Sequence, residues 1–168
     1  MDWKIATNDK VCAITEAKLE IGDEFYSLLI KSSDEYHRRN VSIKAKDKID
    51  FSDPEVFSWW KSRVPDANKP KSQTLDFQGV FSFFLRLMDL EEPDTKDLQL
   101  SYLLSLLLMR KRMLKFVRSF KKNNQEFWIM GQPGSDNEYE VFKPDLNDFQ
   151  LQDLTEQISA IFNMESLD

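Results

Sequence analysis

The stretch from Thr95 to Phe120, TKDLQLSYLLSLLLMRKRMLKFVRSF, decides how the rest of the chain is read. Its first part, to about Arg112, has helical spacing and almost no polar face. A helix that is apolar on nearly all sides has to be buried on nearly all sides. From Leu114 the period changes from 3.6 to 2, so a strand is expected. It would set Leu114, Phe116, Arg118 and Phe120 on one face and Lys115, Val117 and Ser119 on the other. A membrane span needs roughly 20 apolar residues. Here Asp97 precedes the run, Ser101 and Ser105 interrupt it, and Arg110, Lys111 and Arg112 close it. The helix is therefore expected at the centre of a globular domain.

Working outward on the C-terminal side, Asn123 and Asn124 signal a turn and FWIM (127–130) a second strand. GQPGSDN (131–137) is a loop, and EYEVF (138–142) alternates again as a third strand, which makes a meander. Asn147 can cap a last helix with Gln150 at the capping-box position. That helix would bury Leu151, Leu154, Ile158, Ile161 and Phe162. On the N-terminal side, Phe77, Val80, Phe81, Phe84, Leu85 and Met88 mark an amphipathic helix from about Leu75 to Leu90. Glu91 to Asp94 break it, and Asp94 or Thr95 caps the central helix.

Before that, SDPE (52–55) has the signals of a helix start. Ser52 or Asp53 would be the cap, Pro54 lies in the first turn and Glu55 completes the box. A helix to about Val64 would place Phe57, Trp60 and Val64 together. Pro65 and the polar residues 66–72 form a loop. Residues 3 to about 46 read as β structure. Trp3 and Ile5 start a short strand, Lys18–Ile21 alternate, Gly22-Asp23 turn, Glu24–Lys31 form a strand, and Tyr36–Lys44 return.

Composition limits the function classes. The chain has 168 residues, with 41% apolar and 31% charged, which fits a folded domain rather than a disordered one. A net charge of −6 disfavours general nucleic-acid binding through a basic surface. The single cysteine, Cys12, excludes an intrachain disulfide. The opening MDWKIA lacks a basic region followed by an apolar run, so no secretory signal and a cytoplasmic location are expected.

Catalytic constellations are sparse. His37 is the one histidine and lies beside Arg38 and Arg39, where a structural role competes with a pairing to Cys12. The glycines form no phosphate-cradling loop. Glu91-Glu92 and Glu138/Glu140 read as wet positions. No catalytic residue, metal ligand or cofactor is assigned, and no membrane contact is expected.

Two surface features suggest binding instead. Seven cations, Arg110, Lys111, Arg112, Lys115, Arg118, Lys121 and Lys122, follow one another without an acid. They fit a helix C-terminus and a wet strand face, or a patch for an acidic partner or RNA. Trp59 and Trp60 are adjacent, so on a helix they would point about 100° apart, one inward and one toward a partner.

The N-terminal region adds a more specific pattern. CAIT (12–15) and SIKA (42–45) stand where the two Cys-x2-Cys knuckles of a zinc ribbon would stand. Gly22-Asp-Glu-Phe-Tyr26, Arg38-Arg39-Asn40, FSWWKSRVP (57–65), Leu103–Arg112 and Glu138-Tyr-Glu-Val141 follow in order. In these residues the chain resembles an uncharacterised bacterial protein family of planctomycete and verrucomicrobial type, whose members open with such a knuckle. The resemblance implies a ribbon module. Thr15, Ser42 and Ala45 replace cysteines, so the module is expected to be degenerate and zinc-free, with apolar packing in place of metal. The family brings no activity.

These readings combine into an α+β fold. The expected parts are a β-rich ribbon-like module at 1–50 and a helical core with β-meander and closing helix at 51–168, or one continuous domain. The expected function is a non-catalytic protein-interaction or adaptor protein. A nucleic-acid-associated protein using residues 110–122, or an enzyme with scattered carboxylates, are the alternatives. The expected partner is another protein.

Overall fold

The computed structural model describes residues 11–32, 35–64 and 76–162. The expectations for Trp3 and Ile5 and for the loop at 66–72 lie outside these residues. The fold is α+β, with two separate three-stranded antiparallel sheets. No helix among the described residues is long and apolar enough to cross a membrane. The chain's contacts group into two units, Met1–Phe83 with Glu156–Asp168, and Phe84–Thr155.

The first unit is built on β1 (Glu24–Ser32), β2 (Glu35–Ser42) and β3 (Val56–Arg63), in the order β2-β1-β3. β1 is central because both of its faces are apolar. Phe25 and Leu29 point to one side, Tyr26 and Leu28 to the other, and all four are buried. Gly22 takes a φ of +85° in the turn that leads into β1, a conformation that costs glycine little. Residues 18–21 form no strand; a single bridge joins Val11 to Lys18. A 3₁₀ turn over Ile43–Lys48 follows β2.

The expected helix at 52–64 is a strand. Its capping residues serve turns instead: Asp50 Oδ1 accepts from the Ser52 N–H and Asp53 Oδ1 from the Glu55 N–H. The helical spacing of Phe57 and Trp60 comes from a β-bulge. Leu29 pairs with Ser58 and Ile30 with Val56, so Phe57 is an extra residue. The bulge lets Phe57 and Trp60 lie three apart and still both be buried.

One face of this sheet, carrying Tyr36, Phe57 and Trp60, meets Phe83 and Phe162 through edge-to-face and tilted ring contacts. Phe83 belongs to α1 (Phe77–Met88) and Phe162 to α3 (Asp148–Phe162). Gly79 is required here, since a Cβ would overlap the rings of Trp60 and Phe162. The buried residues of α1 are Val80, Phe83, Phe84 and Leu87. The expected stripe was rotated, with Phe81 and Leu85 only partly buried. The other face of the sheet holds Cys12, Leu28, Val41 and Ala45, with Ile49 and Val56 against them.

The second unit is organised by α2 (Thr95–Arg110), as its sequence demands. Asp94 is the N-cap, and Asp94 and Asp97 form a reciprocal capping box. Leu100, Leu103, Leu104 and Leu108 are buried. Ser101 and Ser105 are tolerated among them because each hydroxyl donates to a carbonyl of its own helix, at Asp97 and Tyr102. The meander β4 (Lys115–Lys122), β5 (Gln125–Gly131) and β6 (Glu138–Lys143) follows. Asn123 and Asn124 form its first turn with φ of +54° and +63°, the geometry that asparagine tolerates in tight hairpins. At the start of α3, Asn147 and Gln150 exchange the two capping hydrogen bonds expected of them.

Candidate interaction surfaces

The two knuckle positions meet. Cys12 is fully buried, and its Sγ accepts hydrogen bonds from the Thr15 N–H at 3.4 Å and the Ser42 N–H at 3.3 Å. Burial pushes the thiol pKa up, but the donors from Thr15, Ser42 and Ile14 outweigh it, and the pKa lies below its usual value. Ala45 packs in the same cluster. Among the described residues there is no group of three or more His, Cys, Asp or Glu able to hold a metal ion.

Trp59 and Trp60 separate as adjacent strand residues do. Trp60 is 4% exposed and donates its indole N–H to Asp76 at 2.7 Å, so it leaves the candidate interaction surface. Trp59 is 48% exposed. Its ring lies 4.7 Å from that of Phe51 and 6.1 Å from that of Tyr26, centroid to centroid. Tyr26 in turn is 5.7 Å from Phe51 and carries the Lys46 ammonium over its ring. An exposed indole is thus held on a largely buried aromatic base, the arrangement of an interface anchor.

A buried polar network lies behind Trp60, and its charged pair is a feature the sequence reading missed. Arg38 is 2% exposed. It donates to Asp76 Oδ2 at 3.2 Å, to Ser27 Oγ at 2.9 Å and to the Ile161 carbonyl at 2.9 Å. Ser27 donates to Asn40, and the Ser62 hydroxyl donates to Asp76. Burial pulls the guanidinium pKa down to about 10 while Asp76 pulls it back up, so it stays charged at neutral pH. Strand alternation carries the one available clue, since Arg38 shares a sheet face with Ser27 and Asn40. Each side chain of this network bonds to another group within the fold, which marks it as a structural clasp.

The cations of 110–122 are all exposed. Lys115, Arg118, Lys121 and Lys122 lie on β4, an edge strand. Arg118 reaches Glu138 at 3.9 Å, with both side chains largely in water, so the pair is weak. The aromatics beside these cations are engaged. Trp128 meets Tyr102 and Phe116 edge-on at 5.4 and 5.3 Å, and Lys143 lies over its ring. Its indole N–H goes to Glu126.

The expected faces of β4 change at a second bulge. Phe116 pairs with Met130 and Arg118 with Ile129, so Val117 is extra. Phe116 therefore points to the α2 side with Trp128, while Arg118 and Phe120 point to the opposite side. There Phe120, Phe127 and Phe142 form a row across the three strands, with centroids 5.5 Å apart in each pair. All three are only partly buried.

Among the described residues, carboxylates line two open clefts. A cleft of about 300 Å³ in the first unit is lined by Leu28, Val41 and Ile49, with Asp50, Asp53 and Glu55 at its edge. The Ser52 hydroxyl and N–H hold the Asp50 pKa below its usual value, which ill suits it to donate a proton. A shallower one of about 590 Å³ in the second unit is lined by Asp89, Glu138 and Glu140.

No protein-family model, curated protein or solved structure matches the chain.

Proposed function

We propose that this chain is a non-catalytic protein-interaction or adaptor protein of the bacterial cytoplasm, and that its first unit keeps the ribbon-like plan of the family it resembles without zinc. The carrying observation is Trp59, half exposed on the Tyr26 and Phe51 rings. An indole fixed on an aromatic base loses little freedom when a partner covers it, and such residues dominate binding energy at interfaces. The knuckles support the same reading. Cys12 accepts from both knuckle backbones, while Val11, Ile14 and Ile43 beside them are 41%, 39% and 37% exposed.

The test compares tagged wild type with Trp59→Ala in capture from the source cells, with and without nuclease. The expected result is a defined protein recovered through nuclease by the wild type and reduced at least about tenfold for Trp59→Ala, an effect of about 1.4 kcal/mol or more. Equal recovery by both proteins overturns the assignment of the surface. A second reading, binding to nucleic acid through Arg110 to Lys122, is favoured by seven exposed cations in succession. It is weakened by the edge-on packing of Phe116 against Trp128, which engages the two rings that the sequence sets beside these cations. Nuclease-sensitive, salt-sensitive recovery would install it.

A further inference from the structure

The sheet β4-β5-β6 is buried at the centre of one face and keeps a partly exposed row of rings on the other. On the α2 side, Met130 and Val141 are fully buried. On the other side, the register aligns four levels. Lys115, Gly131 and Glu138 share the first. Arg118, Ile129 and Glu140 share the second, and Phe120, Phe127 and Phe142 the third. Lys122 and Gln125 make the fourth. The middle of this face is apolar, its β4 edge is cationic and its β6 edge is anionic. The bulge at Val117 creates the pattern, because it places Lys115 and Arg118 on the same side.

We propose that this face binds the same face of a second copy of the chain, about a two-fold axis running along β5. Such an axis exchanges β4 and β6 while keeping each level in place. Lys115 of one copy then meets Glu138 of the other, Arg118 meets Glu140, and Phe120 meets Phe142. The β5 phenylalanine, Phe127, meets itself. A two-fold axis across the strands would instead set cations on cations and acids on acids. The charge pattern therefore selects one of the two face-to-face arrangements, and a patch complementary to itself is what a two-fold dimer requires. Two sheets stacked with nearly aligned strands, about 10 Å apart, are an ordinary packing. The ion pair of Arg118 with Glu138 within the face, at 3.9 Å, is exposed and yields little when its partners are exchanged.

The face is small. Three strands span about 15 Å and six to eight residues about 20–25 Å, short of the roughly 800 Å² per partner of a standard interface. Association is therefore expected to depend on concentration, with a Kd of about micromolar order. It is independent of the Trp59 surface, which belongs to the other unit.

The test is sedimentation of the full chain from low micromolar to several hundred micromolar, with charge-swap variants. Arg118 and Glu140 are exposed, so Arg118→Glu and Glu140→Arg should leave the fold unchanged, as circular dichroism would verify. The expected result is a reversible dimer, weakened at least about tenfold by either single variant. The double variant, which restores opposite charges across the axis, should return to within about threefold of wild type. Phe127→Ser should abolish the dimer. A wild type that stays monomeric throughout overturns the proposal. So does a dimer indifferent to both single reversals, or a double variant no better than either single one. A mass that falls on nuclease treatment also overturns it, in favour of nucleic acid on this face.

Discussion

The two sheets are alike in strand number and antiparallel pairing, and opposite in how they are held. The first sheet sets charges inside. Its Trp60 face carries Arg38 with Ser27, Asn40 and Ser62, and Asp76, just before α1, bonds to it. The second sheet keeps its charges outside and relies on the leucines of α2 and on Met130 and Val141. The difference teaches where each unit is fragile. An apolar core loses stability in proportion to what is removed, whereas a buried ion pair fails abruptly when one member is lost.

The largest effect should come from placing a charge in the apolar unit. Leu104 is fully buried in α2, and Leu104→Asp should cost more than about 4 kcal/mol, since nothing there could pair with it. Loss of amide-exchange protection through β4, β5 and β6 is the expected readout. A natively protected variant would mean that α2 does not organise the unit.

Next comes the clasp. Asp76→Ala strands the Arg38 guanidinium and should cost about 3–5 kcal/mol, read as a lower denaturant midpoint with exchange in β1–β3. Adding Arg38→Met removes the stranded charge and should recover more than half of that loss. Failure to recover would show that the hydrogen bonds of Asp76 to Trp60 and Ser62, rather than its charge, carry the clasp.

The smallest effect lies at the hairpin of the second sheet. Asn124 has a φ of +63°, so Asn124→Ala should cost about 1 kcal/mol while Asn124→Gly costs nothing. Thermal unfolding would separate the two. Equal values would mean that the turn is not held in this conformation.

The contrast between the sheets also explains what could be read in the sequence. α2 was legible because a run such as Leu103–Leu108 has one sensible place, the interior. The meander was legible because its period is 2 and Asn123-Asn124 announces the turn. The strand at Val56–Arg63 was not legible. With Phe57 as an extra residue, its buried aromatics fall at a helical interval, and Ser52 and Asp53 look like caps while serving turns. The faces of β4 were misread for the same reason, at Val117. Of the candidate surfaces, the cations of 110–122 and Trp59 are exposed as their composition suggests. The clasp and the phenylalanine row depend on cross-strand register, which joins Arg38 to Ser27 and Phe120 to Phe142 only after the pairing is known.

The extra residue at Val117 separates the surface pattern of this strand from its length. Removing that one residue would leave every charge in place and restore strict alternation between the Asn123-Asn124 turn and Leu114. Phe116 would stay on the α2 side and Lys115 on the other, because the residue lost is the one that the ladder already skips. A single codon lost here thus spares both faces, whereas one lost on either side of it would turn part of the strand over. When other sequences are aligned with this one, a gap on this strand belongs at Val117. Placed elsewhere, it would set residues of opposite faces in one column.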